Sequence, residues 1–316
     1  MNILGIETSC DETAAAVVSN GVNVLSNVVA SSLKDHAAFG GIIPEIASRR
    51  QIESIHGVVS QALIQAKVPL GKIDAIAVTT KPGLVGSLLV GISFARALAY
   101  GAKKPLVEID HIQAHWYANF LRLAEDKNPL PELPAIGLVV SGGHSSLFDI
   151  KSFDKVKLLG VTRDDAAGEA FDKVARLLNL GYPGGPIIDR LAKGGVNNQI
   201  RFPKANLEGP YDFSFSGLKT SVLYYTQKNK NFDVKQVAYS FQKSVVDVLT
   251  EKAIKACQRK KVKTLLIGGG VAANSALREH LVQAGEKEGI RVCFPPMKFC
   301  LDNAAMIAGL GYTYLR

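Results

Sequence analysis

The chain has 316 residues, of which 47% are hydrophobic and 21% are charged, and this composition excludes a disordered or low-complexity protein. Lysine and arginine number 37 against 28 aspartates and glutamates. The resulting charge of +9 suits a polyanionic partner, although basic cytosolic nucleotide enzymes are common. The four cysteines form no CxxC motif, so we interpret them as reduced thiols.

Targeting and membrane signals are weak. The N-terminus has neither a basic region nor a cleavable apolar stretch, which argues against a signal peptide. The longest apolar run lies between Lys81 and Arg96, and Pro82 and several glycines interrupt it. A run this short and broken is unlike a membrane span, so we expect a cytoplasmic protein with no membrane contact.

The first part of the chain predicts alternating strands and helices. In chain order these are a strand at 2–7, a polar turn at 8–13, a strand at 14–18, a loop at 32–44, an amphipathic helix at 45–66, a strand at 74–79, a turn at 81–83, a buried helix at 84–100, a strand at 105–109 and a helix at 111–123.

Residues 126–134 contain three prolines and several charges, which predicts a linker. The same order of elements then returns. It consists of a strand at 136–140, a tight turn at 141–145, a strand at 146–150, an insertion at about 152–232, a helix at 232–258, a strand at 264–267, a glycine turn at 268–270, a helix at 274–283, a strand at 290–294 and a last helix opening at Asp302.

The repeated order predicts an α/β fold made of two similar lobes with a cleft between them. We place the first lobe at 1–125 and the second at 126–316, with the insertion inside the second and the last helix free to pack back toward the first. The layout resembles the actin, Hsp70 and sugar-kinase superfamily.

Two histidines lie where a predicted strand runs into a helix. His111 and His115 are four residues apart, so a helix places both imidazoles on one face. No glutamate follows the first histidine, which excludes the HExxH protease motif, and an isolated HxxxH is more often two polar residues in a first helical turn. Asp302 opens the equivalent helix of the second half, so pseudo-two-fold symmetry would bring it to the histidines. Two imidazoles and one carboxylate suit Fe(II) first and Zn(II) second.

Three turns fall at matched points of the two halves, at 8–13, 141–144 and 268–270. Glycines let backbone N–H groups approach an anion closely, and a helix N-terminus adds partial positive charge. Each turn alone is a weak signal and is equally typical of an ordinary surface turn. Together they are candidates for a phosphate-binding site.

Several segments in order along the chain then resemble one family, the bacterial tRNA N6-adenosine threonylcarbamoyltransferases, or TsaD family. They are 6–13 (IETSCDET), 111–115 (HIQAH), 140–144 (VSGGH), 164–173 (DDAAGEAFDK), 182–186 (YPGGP), 213–219 (FSFSGLK) and 302–303 (DN). The resemblance covers essentially the whole chain. It implies an acyltransferase that moves a threonylcarbamoyl group from threonylcarbamoyl-AMP to N6 of adenosine 37 in tRNAs that read codons starting with A, releasing AMP (t6A formation).

The resemblance also implies roles for particular residues. It makes His111, His115 and Asp302 the ligands of one divalent metal per subunit. Contacts to the adenylate are implied for Val139, Val140, Ser141, Gly142, Gly143, Asp172, Gly185 and Asn274, and less directly for Asp189 one turn beyond the 182–186 loop. The implied partners are tRNA, a paralogous inactive subunit and a small ATPase.

Asp11, at the tip of the first turn, is our candidate for the group that accepts or orients the proton of the attacking amine. The alternative is a turn carboxylate that bonds its own backbone. Two departures from the family pattern stand out. Gln51 occupies a position where members commonly have histidine, and the chain ends at Arg316 without the short Trp-containing tail of many bacterial members.

Other functions remain open at this point. A small-molecule kinase of the same superfamily would use ATP and a catalytic aspartate but leave the His111, His115 and Asp302 set idle. A metallopeptidase lacks a glutamate base beside the histidines, and an Hsp70-like scaffold needs no ligands at helix starts. For tRNA, the basic segments 49–50 and 259–263 are the candidate phosphate contacts, or else solvated helix ends.

Overall fold

The structure is a computed structural model that describes residues 1–37, 39–126, 129–193, 195–196, 200–205 and 207–315. Parts of the predicted linker and of the predicted insertion, and Arg316, lie outside the described residues. The chain divides into two compact units. Unit 1 is Met1–Leu130 with Pro295–Arg316, and unit 2 is Pro131–Phe294.

Ten strands and ten helices are present in the described residues. The strands are β1 Asn2–Glu7, β2 Glu12–Ser19, β3 Asn23–Ser31, β4 Ala75–Lys81, β5 Leu106–Asp110, β6 Ala135–Val140, β7 Ser145–Ser152, β8 Lys155–Val161, β9 Thr264–Gly268 and β10 Arg291–Cys293. The helices are α1 Leu33–Ala37, α2 Pro44–Ala66, α3 Val85–Ala102, α4 His111–Tyr117, α5 Ala167–Leu177, α6 Gly184–Ala192, α7 Ser216–Lys228, α8 Val234–Lys260, α9 Ser275–Glu288 and α10 Ala304–Thr313.

Unit 1 is built on a five-stranded sheet in the order β3-β2-β1-β4-β5. β1 pairs antiparallel with β2 and parallel with β4, and β4 pairs parallel with β5. The inner strands β1 and β4 read as nearly continuous apolar runs because both faces are covered, and α2 and α3 pack with them in one core. The chain crosses over through helices, so β1, β4 and β5 end at the same edge of the sheet.

Unit 2 repeats this sheet, with the order β8-β7-β6-β9-β10. β6 pairs antiparallel with β7 and parallel with β9, as β1 does with β2 and β4. The predicted repetition is therefore confirmed at the level of strand order, and the two-lobed α/β class with it.

Each sheet has a third meander strand that the sequence patterns do not predict. β3 lies outside the predicted elements, and β8 lies in the segment predicted as insertion. Both are edge strands with mixed exposure, and Lys155 and Lys157 alternate with apolar residues over a short stretch of β8. Such strands bury little and carry only a weak period-two signal.

The prediction that the helix after residue 84 is buried was wrong. Only one stripe of α3 is buried, and it consists of the small residues Ser87, Gly91, Ala95 and Ala99. Large apolar side chains stand in solvent instead, with Val85 74%, Leu89 57% and Tyr100 90% exposed. Among the described residues α3 alone has the length and apolar composition to cross a membrane, a criterion that helices of soluble proteins also meet.

Candidate functional site: a metal centre and a glycine-rich loop

The candidate metal centre lies at the carboxyl ends of the parallel strands of unit 1. Glu7 is the last residue of β1, Thr79 lies near the end of β4, and His111 directly follows β5. In open α/β sheets this edge, where the strand order reverses, is the usual place for a ligand.

Helix α4 presents the two histidines. Its N-terminus is capped by Asp110, whose Oδ1 accepts from Ile112 N at 3.0 Å and from Gln113 N at 3.1 Å. His111 and His115 are buried, with 5% and 0% of their surfaces exposed. Their Nε2 atoms are 3.1 Å apart. The helix ends at Tyr117 and continues as a 3₁₀ turn, so it is shorter than predicted.

Asp302 joins the histidines from the C-terminal segment of unit 1, Pro295–Arg316. Its Oδ1 is 3.3 Å from His115 Nε2 and 3.6 Å from His111 Nε2. It lies just before Asn303, the N-cap of α10, rather than opening that helix. α10 can pack closely against β1 because β1 has a glycine at position 5. A side-chain Cβ at Gly5 would stand only 2.3 Å from the Ala304 carbonyl oxygen and would push the helix away.

The donor set fits a divalent metal. The three ligand atoms lie within 4.8 Å of one another. Imidazole nitrogens and a carboxylate oxygen all present lone pairs, and a shared cation satisfies them together. Among the described residues His115 Nδ1 has no hydrogen-bond partner, so that ring is held by its packing and by what its Nε2 binds.

A buried carboxylate that the sequence analysis did not single out contacts this set. Glu7 is fully buried, and its Oε2 lies 3.0 Å from His111 Nδ1. Without metal, burial opposes a charge on His111, but Glu7 and Asp302 outweigh it and raise the pKa of His111 to about 9. Burial opposes the charge on Glu7 too, yet the neighbouring His111 lowers the pKa of Glu7. Burial, followed by the charge of His111, lowers the pKa of His115.

Asp11 lies in the turn between β1 and β2 and is buried. Its carbonyl oxygen accepts from Ser32 N at 3.1 Å and from Ser32 Oγ at 2.9 Å, which anchors the turn to the residue that follows β3. The next residue, Glu12, has a pKa raised to about 10 by burial and then by the charges of Asp302 and Asp11. Glu12 is therefore protonated at neutral pH in the metal-free protein, a feature that the sequence did not reveal.

Gln51 holds the same turn from helix α2. It is buried, and its Nε2 donates to Cys10 O at 2.9 Å, Glu12 O at 3.1 Å and Thr8 O at 3.4 Å. The residue that departs from the family pattern thus fixes the backbone of the Asp11 turn. An amide with two N–H donors can bridge several carbonyls in this way.

In unit 2 the predicted loop connects β6 to β7. Ser141 N donates to His144 O at 2.8 Å, and His144 N donates to Ser141 Oγ at 3.2 Å, which closes a tight turn. Val139 and Val140 bury their side chains, so they can offer a ligand only backbone groups. A Cβ added at Gly142 or Gly143 would meet no atom within 4 Å, so the space beside this backbone is open.

Helix α5 packs against this loop through Gly168. Gly168 N donates to Ser141 O at 3.2 Å, and a Cβ at Gly168 would stand 2.6 Å from that same oxygen. Only glycine allows this approach, which places the positive N-terminus of α5 beside the loop. Gly168 was part of a recognised motif, but its packing role was not predicted.

The remaining predicted adenylate contacts lie at two other helix starts of unit 2. Asp172 accepts from Gly184 N at 2.7 Å, at the start of α6, where Gly185 also has open space beside it. Burial raises the pKa of Asp172. Asn274 caps α9 through Leu277 N at 2.9 Å, and Asp189 accepts from Ser275 Oγ at 2.8 Å. The structure thus shows these side chains shaping helix N-termini.

Fold and site together define a two-lobed α/β protein whose first unit carries a two-histidine, one-carboxylate cluster that fits a divalent metal. Two solved structures share the fold. HypF of T. kodakarensis has a TM-score of 0.66 and 15% identity, covering 99% of this chain and 47% of that one. A ROK hexokinase from Thermus thermophilus has a TM-score of 0.52 and 20% identity, covering 100% and 99%.

Sequence comparison identifies the family. Residues 23–309 match the TsaD family, described as tRNA N6-adenosine threonylcarbamoyltransferase. A protein of that name from Symbiobacterium thermophilum is 54% identical over 317 aligned residues, which cover 99% of this chain and 92% of the relative. The chain belongs to the tRNA N6-adenosine threonylcarbamoyltransferase family.

Proposed function

We propose that this protein transfers the threonylcarbamoyl group of threonylcarbamoyl-AMP to N6 of adenosine 37 in tRNAs that read codons starting with A, with release of AMP. The convergence of His111, His115 and Asp302 carries the proposal, because it supplies a metal site in a chain of this family. Tight packing of α10 on β1 and the capping of α4 build the site before any substrate arrives. The setting is the cytoplasm, where tRNA is modified.

Threonylcarbamoyl transfer requires three functions from the protein. The acyl donor is a mixed anhydride, so its phosphate must be held as it leaves, and we assign this to backbone N–H groups of the 141–143 loop and the N-terminus of α5. The exocyclic amine is a weak nucleophile whose proton must be accepted, and we assign this to Asp11. A metal held by the three ligands would supply a Lewis acid for the acyl donor.

We propose Fe(II) as the metal, one per subunit, with Zn(II) as the second choice. Two histidines and one carboxylate with remaining open positions are typical of non-haem Fe(II) sites, whereas Zn(II) accepts the same donors in tetrahedral geometry. Metal analysis of protein purified without oxygen distinguishes the two.

The kinase alternative has less support, because it gives the three metal ligands no task. The discriminating experiment incubates the protein, with its partner proteins, either with threonylcarbamoyl-AMP and unmodified tRNA or with ATP and a metabolite panel. Mass spectrometry of digested tRNA should show threonylcarbamoyl-adenosine in the first reaction. Phosphorylated metabolite in the second reaction, without modified tRNA in the first, would establish a kinase instead.

For tRNA we propose contacts on a basic ridge of unit 2, defined as Lys157, Arg163, Lys252, Lys255 and Lys260. Two buried aspartates join its members. Asp149 pairs with Lys260 at 3.1 Å and lies opposite Lys157 in the sheet, and Asp212 pairs with Arg163 at 2.6 Å. Burial and then the charge of Lys255, three residues further along α8, lower the pKa of Lys252.

Of the two segments first considered, 259–263 contributes Lys260 to this ridge, and 49–50 remains a second candidate. In 49–50, Arg49 pairs with Glu45 at 2.7 Å and Arg50 with Asp35 at 2.9 Å. Changing Lys157 and Lys255 together to alanine should lower the slope of log affinity against log salt by about 0.7 to 0.9 per contact. The matched control changes Lys228 and Lys230 at the end of α7. Equal slope changes in both pairs would remove the ridge from the interface.

We propose that the paralogous inactive subunit covers the exposed apolar face of α2 and α3, and that the small ATPase joins this assembly. Besides Val85, Leu89 and Tyr100, the face includes Ile52 and Ile64 of α2, 65% and 72% exposed. Large apolar side chains exposed on two helices that pack together indicate an interaction surface. Val85→Asp should abolish co-purification with the paralogue, while the exposed polar change Gln61→Asp should not.

A further inference from the structure

We propose that Glu7 is a positioning residue of the metal site, which fixes the ring of His111 so that Nε2 faces the metal. The inference rests on the metal proposed above and names a residue that does not itself bind it. Its basis is the hydrogen bonding of a fully buried carboxylate at the end of β1.

Each oxygen of Glu7 is used. Ser9 N donates to Oε1 at 2.5 Å, and Thr79 Oγ1 donates to Oε2 at 2.5 Å. The same Oε2 lies 3.0 Å from His111 Nδ1. Three strand ends of the sheet therefore meet at one carboxylate, which holds it in a single orientation.

This contact determines which ring nitrogen of His111 carries the proton and which one faces the metal. An ionised carboxylate only accepts, so Nδ1 keeps its proton, and in the metal-bound form the lone pair of Nε2, on the side of His115 and Asp302, is left for the metal. Ser9 Oγ also lies 3.2 Å from Nδ1, on the same side as Glu7. Metal-binding histidines characteristically donate their second N–H to a carboxylate, which fixes the tautomer and raises the basicity of the ligand nitrogen.

The two histidines differ in this respect. Among the described residues no group hydrogen-bonds Nδ1 of His115, whereas Nδ1 of His111 has Glu7 and Ser9. Glu7 also brings a second negative charge beside Asp302, so two carboxylates offset a divalent cation. Removing Glu7 should therefore weaken metal binding through His111 while all three ligands remain.

The test measures Co(II) affinity by chelator competition, with the visible spectrum of the bound ion, in the full-length protein. Glu7→Gln keeps the side-chain volume and should lower affinity about 10- to 100-fold. Thr79→Val should lower it a few-fold, and Thr79→Ser, which restores the hydroxyl, should recover it. Asp149→Asn, a buried carboxylate in unit 2, is the matched control and should bind Co(II) as the wild type does.

A second readout separates positioning from simple stability. In the Zn(II)-loaded protein the Nδ1 proton of His111 should resonate downfield through its carboxylate acceptor, and this shift should be lost in Glu7→Gln. If folded Glu7→Gln keeps the wild-type Co(II) affinity and the wild-type chemical shift of the His111 Nδ1 proton, the proposal is overturned. If Glu7→Gln does not fold, the Co(II) affinity of Thr79→Val decides. If Asp302→Ala also binds Co(II) normally, the metal site fails and the role of Glu7 with it.

Discussion

The two candidate sites are built in opposite ways at equivalent edges of the two sheets. The metal centre of unit 1 is made of side chains that converge, with His115 and Glu7 fully buried. The loop of unit 2 is made of backbone, with open space at Gly142 and a forced close approach at Gly168. A side-chain site therefore fails when a functional group is removed, whereas a backbone site fails when atoms are added.

The largest effect should follow from removing a ligand. Asp302→Ala leaves only two imidazoles for the cation. Mutating a residue that merely hydrogen-bonds a metal ligand lowers metal affinity by up to roughly 100-fold, so the loss of a ligand itself should lower it by more. Elemental analysis and Co(II) titration measure it, with the exposed Glu45→Ala as control. AMP binding by unit 2 should persist, and full metal occupancy in Asp302→Ala would refute the three-ligand site.

Adding one methyl group at Gly168 should damage the other site alone. The new Cβ would stand 2.6 Å from Ser141 O, so the loop or α5 must move. Overpacking of this kind costs about 1–3 kcal/mol, and AMP affinity should fall with stability. Gly217→Ala, where a Cβ has open space, is the control. Denaturant unfolding measures the stability and AMP titration measures the affinity. Wild-type stability and AMP affinity in Gly168→Ala would show that the close approach of α5 to the loop does not matter for the site.

Gly142→Val should change AMP affinity without changing the stability of the protein. A valine there meets no protein atom near its Cβ, so the unfolding free energy should hold while the branched side chain obstructs the phosphate. We expect AMP affinity to fall about tenfold, which corresponds to roughly 1.4 kcal/mol. Isothermal titration with AMP tests this, and unchanged affinity would remove the loop from the site.

A gradual effect, spread over several pH units, concerns Glu12, the partly buried acid beside Asp11. The pKa of Glu12 rises from 4.5 to about 10 on folding, so the folded metal-free protein binds one more proton than the unfolded chain between these values. The stability this confers is complete below pH 4.5 and is lost as pH rises through about 10. The unfolding free energy should fall by up to about 1.4 kcal/mol per pH unit.

Glu12→Gln should remove this slope, and the exposed Glu53→Gln should not. His111 has a shift of the same sign, from 6.5 to about 9, so the slope is best measured below pH 6.5, where that histidine is protonated in both states. Equal slopes in wild type and Glu12→Gln would show that Glu12 ionises normally.

The comparison also explains what the sequence could predict. The spacing of His111 and His115 and the repeated order of elements can both be read along the chain, so the candidate metal ligands and the two-lobed class could be predicted from the sequence. Glu7 escaped notice because its role depends on contacts with Thr79 and His111 that are distant along the chain. Gly168 was visible in a motif, but its close approach to Ser141 is a tertiary fact. The exposed face of α3 was misjudged because apolar content does not distinguish a core from an interface.

The most direct test of this account is anomalous diffraction from crystals grown anaerobically with AMP. We expect one anomalous peak at the iron edge, bounded by Nε2 of His111, Nε2 of His115 and Oδ1 of Asp302, and the phosphate of AMP against the backbone of Ser141, Gly142 and Gly143. An anomalous peak elsewhere, no peak at any metal edge, or AMP bound away from this loop would contradict the division between a side-chain metal site and a backbone phosphate site.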